Sequence, residues 1–191
     1  MAGDDRLSVT VIIGSTRVGR MCDTVGGWFA ERARRRDELA VEVLDLADYA
    51  FPACYPQEAA PAMRDFATAV GAADSFVVVT PEYNRSFPAS LKQAIDFAYD
   101  EWHAKPVGIV AYGSGSSGHY AVEHLRTVFC ALHAVTVRDW VGLDLLGPGI
   151  DAYGRPGDTD DRLRAVAAML DQLTWWGRAL REGRRTQPYV S

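Results

Sequence analysis

The chain has 191 residues, of which 48% are hydrophobic and 24% are charged, and its formal net charge is −5. This length and balance predict a single globular domain over residues 1–191 and exclude a disordered or fibrous chain. The acidic charge argues against a general nucleic-acid binder.

The chain has no segment that is typical of secretion or of membrane insertion. The N-terminal residues MAGDDRLSVT lack a basic segment followed by an apolar core, and no stretch approaches the ~20 apolar residues that cross a bilayer. Three widely spaced cysteines, Cys22, Cys54 and Cys130, form no C-x-x-C pair, so neither a disulfide framework nor a zinc site is predicted. We therefore expect a cytoplasmic protein without a metal site or a membrane partner.

Apolar segments rich in valine and isoleucine alternate with helical segments along the chain. The predicted strands are 7–14, 40–46, 75–81, 106–113 and 134–143, and the predicted helices are 21–36, 61–72, 88–101, 118–132 and 158–182. This alternation predicts parallel pairing, and strands that are apolar on both faces belong to a sheet covered by helices on each side. The sequence therefore predicts an α/β three-layer sandwich with a five-stranded parallel sheet, for which 2-1-3-4-5 is one of two common strand orders.

Ligands of such sheets bind beyond the carboxyl ends of the strands. The loop after the first predicted strand, GSTRVGRM at residues 14–21 (the first loop), contains a turn glycine, two hydroxyls and two arginines before a helix: Gly14, Ser15, Thr16, Arg17 and Arg20. Guanidinium groups and a helix N-terminus together favour a phosphate. Arg20 and Met21 stand where a nucleoside-triphosphate loop has lysine and a metal-binding hydroxyl, so ATP or GTP with magnesium is not predicted. The alternative is an ordinary turn with two surface arginines.

The loop after the third predicted strand is TPEYNRSFPAS, residues 80–90 (the second loop). Prolines stiffen both of its ends, and between them it presents Glu82, Tyr83, Asn84 and Arg85. A flat heteroaromatic ring suits this loop, because a tyrosine can cover a ring face while amide groups contact the ring edge. The alternative is a polar turn whose aromatic residues only anchor it to the core.

The loop after the fourth predicted strand, YGSGSSGHY at residues 112–120 (the third loop), contains G-x-G-x-x-G as Gly113, Gly115 and Gly118. That dinucleotide fingerprint belongs to the first strand–helix turn of its fold, so here we interpret the loop as a donor-rich wall for a ligand whose phosphate lies in the first loop. His119 and Glu123 are one helical turn apart, but no third ligand accompanies them, and a helix-surface pair is the favoured interpretation.

Three stretches in this order, GSTRVGR, TPEYNRSFPASLKQAIDFAYDEW and KPVGIVAYGSGSSGHYAVEHLR, resemble the NADPH-dependent FMN reductase family of flavodoxin-like proteins over most of residues 8–132. The resemblance implies a flavodoxin-like fold, tightly bound FMN, reduction by NADPH or NADH, and a homodimer or homotetramer with subunit contacts close to the flavin. Carried over, the cofactor-binding residues are Gly14, Ser15, Thr16, Arg17, Arg20, Met21 and Cys22 around the phosphate, Pro81, Glu82, Tyr83 and Asn84 beside the isoalloxazine, and Gly113, Ser114, Gly115 and Ser117 near its polar edge.

The resemblance implies an enzyme that passes hydride from NAD(P)H through bound FMN to a small acceptor, such as a quinone, free flavin or another electron-poor aromatic compound. We expect Tyr83 to cover the ring, Arg85 to guide an anionic dinucleotide or a substrate oxygen, and His119 to narrow the space for the acceptor. Two alternatives stay open. One is a flavodoxin-like electron carrier that docks a protein partner, and the other is a pathway-specific flavoenzyme acting on an aromatic or polyketide quinone.

Aromatic residues outside the three loops lead to two further predictions. In the pathway-specific alternative, the pocket would be shaped by Tyr49, Phe51, Tyr55, Trp102 and His119. Phe97, Tyr99 and Trp102 also form more aromatic surface than one side of a sheet usually covers, so we expect part of it to contact a second chain.

Overall fold

A parallel sheet forms the middle layer of the protein in a computed structural model that describes residues 5–151 and 153–190. Its strands are β1 (Leu7–Ile13), β2 (Leu39–Asp45), β3 (Ser75–Pro81), β4 (Pro106–Gly113), β5 (Val135–Thr136) and β6 (Val141–Asp144). The strand order is β2-β1-β3-β4-β5, β6 also pairs with β4, and every pair is parallel. The predicted order 2-1-3-4-5 is therefore confirmed. Residues 1–4, 152 and 191 of the predicted domain lie outside the described residues.

In the described part of the chain, five α-helices cover the two faces of the sheet, as predicted: α1 (Cys22–Ala33), α2 (Pro61–Ala72), α3 (Ala89–Phe97), α4 (His119–Ala131) and α5 (Asp160–Thr186). Helices α1 and α5 pack on one face around a core that includes Trp28, Phe29 and Leu170. Helices α2, α3 and α4 pack on the other face around Phe76 and Trp102. None of the described helices combines the length and the apolar composition needed to cross a lipid bilayer.

The fifth predicted strand, 134–143, is wrong as a single element. Thr136 pairs with Val107 and Val141 pairs with Val110. The chain therefore advances five residues from Thr136 to Val141 while β4 advances three, and the two extra residues form a bulge between β5 and β6. Side chains from two helices bind the bulge: the Arg126 guanidinium donates to Val137 O at 2.9 Å and to Arg138 O at 2.6 Å, and Asp139 N–H donates to the Gln172 amide oxygen at 3.0 Å. These side-chain bonds give the backbone groups of the bulge the partners that a neighbouring strand would otherwise supply.

The third predicted helix, 88–101, is also too long, because α3 ends at Phe97 and a short 3-10 turn follows at Asp100–Trp102. That turn places Trp102 in the core with no exposed surface, where its indole N–H donates to Ile95 O at 3.1 Å. Phe97 is only 9% exposed, whereas Tyr99 is 54% exposed. The prediction that this aromatic surface contacts a second chain is therefore wrong for Trp102 and Phe97, because both are buried within this chain.

Candidate functional site

The three loops meet at the carboxyl edge of the sheet, because β1, β3 and β4 are neighbours in it. They line a cleft of about 370 Å³. The predicted site residues on its wall are Arg17, Arg20, Met21, Pro81, Glu82, Tyr83, Gly113 and Ser114, and sequence reasoning missed Val18, Gly19, Tyr112 and Leu145. The remaining predicted residues, Gly14, Ser15, Thr16, Cys22, Asn84, Arg85, Gly115, Ser117 and His119, flank the cleft and are not on its wall.

The first loop begins pressed against β3. Gly14 N–H donates to Val79 O at 2.8 Å, and a Cβ on Gly14 would lie 2.7 Å from the same oxygen, so any other residue would push the loop away. Ser15 is fully buried, and its hydroxyl accepts from Arg17 N–H at 3.4 Å. The loop therefore turns back on itself and leaves Arg17 exposed at the rim of the cleft.

The two arginines of the first loop have different surroundings. Arg20 donates to Ser15 O and forms an ion pair with Asp45 at the end of β2, and its side chain is only 13% exposed. No described acidic side chain lies within salt-bridge distance of Arg17. Arg17 is therefore the cation available to an anionic ligand, whereas Arg20 fixes the shape of the loop. This division was not visible from the sequence.

A buried thiol and a buried phenol lie beneath the first loop. Cys22, the first residue of α1, donates its Sγ–H to Val79 O at 3.2 Å, and burial raises the pKa of this thiol to about 11. Burial also raises the pKa of Tyr112, whose side chain lines the cleft. The Cys22 side chain is therefore a neutral donor within the protein, and the predicted contact of Cys22 with the FMN phosphate stays a prediction.

A tight turn forms the tip of the second loop. Tyr83 N–H donates to Ser86 O at 2.8 Å, and Ser86 N–H donates to Tyr83 O at 3.0 Å. Between them, Asn84 (φ 50°) and Arg85 (φ 62°) are both left-handed, the conformation of a two-residue hairpin turn. Tyr83 therefore lies below the tip on the cleft wall, with its hydroxyl 3.5 Å from Ser15 Oγ.

Helix α4 supports the second loop through three contacts. The Arg85 guanidinium stacks on Tyr120, 4.3 Å from the ring centroid. Glu82 Oε2 accepts from Tyr120 N–H at 3.1 Å, and Ser86 Oγ lies 3.0 Å from His124 Nδ1. Arg85 is thus held at the loop tip. His119 is exposed on the same helix, with its ring 6.1 Å from that of Trp140.

The conformation of the third loop depends on left-handed residues and on an aspartate that sequence reasoning missed. Gly118 has φ 89°, and a Cβ there would lie 2.5 Å from Ala111 Cβ. Asp144, at the end of β6, accepts from Gly115 N–H and Leu146 N–H, both at 3.0 Å. These two bonds hold the pKa of the Asp144 carboxyl below its usual range. The signal in the sequence that could have identified Asp144 is its position directly after the apolar predicted strand 134–143.

The chain is similar in sequence and in fold to known proteins. Residues 7–145 match the family model described as NADPH-dependent FMN reductase. An NAD(P)H-dependent FMN reductase of Schizosaccharomyces pombe is 36% identical over 127 residues, which are 60% of this chain and 62% of that protein. The match thus spans less than two thirds of the yeast protein. A quinone reductase of Pseudomonas putida is 31% identical over 180 residues, 88% of this chain and 94% of that protein.

Among solved structures, the flavoenzyme FerB, an NAD(P)H:(acceptor) oxidoreductase from Paracoccus denitrificans, superimposes with a TM-score of 0.76 at 20% identity and covers 91% of this chain and 98% of that one. This likeness supports the fold. At the level of the family, the predicted fold, oxidoreductase class and cofactor pair of FMN with NAD(P)H are confirmed. The chain belongs to the NADPH-dependent FMN reductase family.

Proposed function

We propose that this protein is an FMN-dependent oxidoreductase that accepts hydride from NADPH or NADH and passes it to a small electron-poor acceptor, a quinone before free flavin. The observation that carries the proposal is the cleft, where a loop suited to phosphate, an aromatic wall and a glycine-rich loop line one space. Relatives named quinone reductase and FMN reductase support this acceptor class.

The residues around the cleft fit a flavin mononucleotide. Arg17 and the N-terminus of α1 suit a terminal monophosphate, because a guanidinium group and free backbone N–H groups both bind anions. Arg20 and Met21 occupy the two positions at which a loop for a triphosphate with magnesium has its lysine and its metal-binding hydroxyl. Tyr83 and Tyr112 on the cleft wall offer the apolar faces that a planar ring needs.

Bound FMN supplies a ring that takes hydride from a nicotinamide and delivers it to an acceptor. The role of the protein is to bind FMN and to orient its ring. In our proposal Arg17 holds the phosphate, Pro81 and Tyr83 border the ring, and Gly113 and Ser114 lie at its polar edge, where donors stabilise negative charge. No side-chain nucleophile is needed.

On the acceptor side we propose a broad range of planar compounds. Trp102, which the pathway-specific alternative placed in the pocket, is buried in the core. Tyr49 and Phe51 pack on Phe66, each with ring centroids 5.5 Å apart. The aromatic pocket of that alternative therefore loses its support. Arg85 at the loop tip and His119 at the start of α4 are proposed to guide and restrict the acceptor.

A homodimer or homotetramer in the cytoplasm is part of the proposal. Tyr55 and Tyr99 are 70% and 54% exposed and offer aromatic surface to a second chain. Light scattering at micromolar concentration is expected to give two or four times the chain mass of 20.9 kDa. A species of one chain mass would contradict this part alone.

The decisive experiment records the absorbance spectrum of the purified protein and then adds NADPH or NADH without oxygen. We expect a flavin spectrum that the nicotinamide bleaches and that a quinone restores. A flavin bleached only by a protein reductant would favour the electron-carrier alternative. A protein that neither carries FMN nor binds it when FMN is added would overturn the proposal. His119→Gly then tests the acceptor range, and it is expected to change the ratio of kcat/KM between large and small quinones without changing FMN affinity.

A further inference from the structure

Ser114 lies on the cleft wall, and hydrogen bonds attach the residues on both sides of it to the end of β6. Gly113 O accepts from Leu145 N–H at 3.1 Å, and Gly115 N–H donates to Asp144 Oδ1 at 3.0 Å. Within residues 5–151 and 153–190, neither the N–H nor the hydroxyl of Ser114 has a hydrogen-bond partner. Two available donors are therefore held at the cleft by bonds on either side.

Asp144 is itself firmly held. Its Oδ1 also accepts from Leu146 N–H at 3.0 Å, its backbone oxygen accepts from Gly147 N–H at 3.1 Å, and it pairs with Gly113 in the sheet. An ionised carboxylate that accepts backbone N–H groups forms stronger bonds than a neutral acceptor does. The fixed end of β6 thus extends a rigid acceptor to a loop whose glycines would otherwise leave it free to move.

We propose that Asp144 is a positioning residue for the flavin: it fixes the third loop so that Ser114 presents its donors to the polar edge of the isoalloxazine ring. This inference rests on the proposed function, because it requires FMN in the cleft. Asp144 acts through the loop and does not contact the ring. Since Gly115 N–H is already bonded to Asp144, Ser114 and not Gly115 is the donor at that edge.

The test compares three variants. Asp144→Asn keeps an acceptor oxygen for Gly115 and removes the charge, whereas Asp144→Leu removes both at similar size. The matched control is Asp151→Leu. Asp151 Oδ1 accepts from Tyr153 N–H at 2.9 Å and Arg155 N–H at 2.8 Å, in the same segment and the same kind of turn, with no described hydrogen bond to the third loop.

Three quantities are measured for each variant: hydrogen exchange at the Gly115 amide of the apoprotein, FMN affinity by titration, and the midpoint potential of bound FMN. In Asp144→Leu we expect loss of Gly115 protection and FMN affinity about 10-fold weaker, the effect of losing one charge-assisted hydrogen bond. In Asp144→Asn the affinity should stay within about 3-fold of wild type, because a neutral acceptor remains.

The midpoint potential separates positioning from charge. Removing a negative charge raises the potential equally in the Asn and Leu variants, whereas losing a donor at the ring lowers it only in Asp144→Leu. Relative to Asp144→Asn we expect a fall of about 30 mV for each tenfold by which reduced FMN loses more affinity than oxidised FMN. Asp151→Leu should match wild type in all three quantities.

The outcomes distinguish this inference from the proposed function. A wild type that binds FMN, with Asp144→Leu matching Asp144→Asn in affinity and potential, overturns the inference alone. A wild type that binds no FMN overturns both. Asp144→Ala repeats the loss of the acceptor if Asp144→Leu does not fold. If neither variant folds while Asp144→Asn does, Asp144 supports the whole chain, and the inference is wrong.

Discussion

The guanidinium group of Arg20 and the carboxylate of Asp45 form an ion pair that joins the first loop to the end of β2. Arg17, three residues earlier, has no described acidic partner and is exposed at the rim of the cleft. The loop therefore contains one arginine that sets its shape and one that is free for a ligand. Each of them gives a separate prediction.

Arg17→Ala is expected to lower the affinity for FMN about 10- to 150-fold, because a charge-assisted contact contributes about 1.5 to 3 kcal/mol. Binding of riboflavin, which has no phosphate, should not change. Titration of the apoprotein with both flavins measures this. Arg138→Ala removes another arginine, whose side chain is 94% exposed, and serves as the control. Equal FMN affinity in Arg17→Ala and wild type would remove Arg17 from the phosphate site.

Arg20→Met and Asp45→Asn are each expected to lower the free energy of unfolding by about 1 to 3 kcal/mol, because each leaves the other partner of a half-buried pair unpaired. The side chains of Arg20 and Asp45 are only 13% and 23% exposed. Urea denaturation of the apoprotein measures the loss. The double variant should lose less than the sum of the single variants. Additive losses would show that the pair does not act as a unit.

Gly118→Ala is expected to destabilise the apoprotein by about 2 to 4 kcal/mol, because strain at positive φ adds to overpacking. The new Cβ would lie 2.5 Å from Ala111 Cβ. Gly115→Ala is the matched variant, since φ is 79° there and no atom of the described residues lies within 4 Å of the Cβ position. Thermal unfolding should therefore show a clearly larger loss for Gly118→Ala than for Gly115→Ala. Equal losses would mean that only backbone strain matters.

Because Lys105 is buried, we expect the free energy of unfolding to depend on pH. Its Nζ donates to Val70 O at 3.0 Å and Gly71 O at 2.9 Å at the end of α2, and burial lowers its pKa from 10.5 to about 8. Between these two pH values the unfolded chain binds more protons at this group than the folded chain does, so stability rises with pH.

The comparison with Lys105→Met isolates this effect from other groups that titrate in the same range. The free energy of unfolding of wild type minus that of the variant should be nearly constant below pH 7 and rise from about pH 8 to 10.5. Urea denaturation at half-unit pH steps measures it. A difference that does not change with pH would show that Lys105 is not desolvated in the folded protein.

The three cysteines should differ in reactivity. Cys54 and Cys130 are exposed and Cys22 is buried, and the pKa of the Cys22 thiol is raised to about 11 by burial. Because the thiolate is the reactive form, iodoacetamide at pH 8 should modify two cysteines of the folded protein and all three in urea. Peptide mass spectrometry identifies the sites. Rapid modification of Cys22 in the folded protein would contradict its assigned environment.

The sequence predicted the sheet because β3 and β4 are apolar on both faces and helix patterns lie between the strands, which are local features. It did not predict the bulge between β5 and β6, because the groups that bind the bulge, Arg126 and Gln172, come from two different helices. The end of α3 was likewise decided by burial of Trp102 in the core. No local propensity reports that packing.

As with the fold, the sequence predicted the local features of the site but not its contacts between elements. Residue types and their order located the three loops, and eight of the 17 predicted site residues line the cleft. Tyr112 and Leu145 were missed because strand register decides where their side chains lie. The pairing of Arg20 with Asp45 joins two strands' ends, and no spacing within the first loop reveals it. Contacts between elements are the part of the site that a single sequence leaves open.

Glu82 connects the second loop both to the end of β4 and to the start of α4. Its N–H donates to Tyr112 O at 2.8 Å, and its carboxylate accepts from Tyr120 N–H at 3.1 Å, so a hydrogen bond connects the second loop directly to the start of α4. Laboratory evolution of a new acceptor range should therefore randomise residues 83–86 together with Tyr120 and His124 in one library. Screening the two regions one after the other would discard pairs of substitutions that only work in combination.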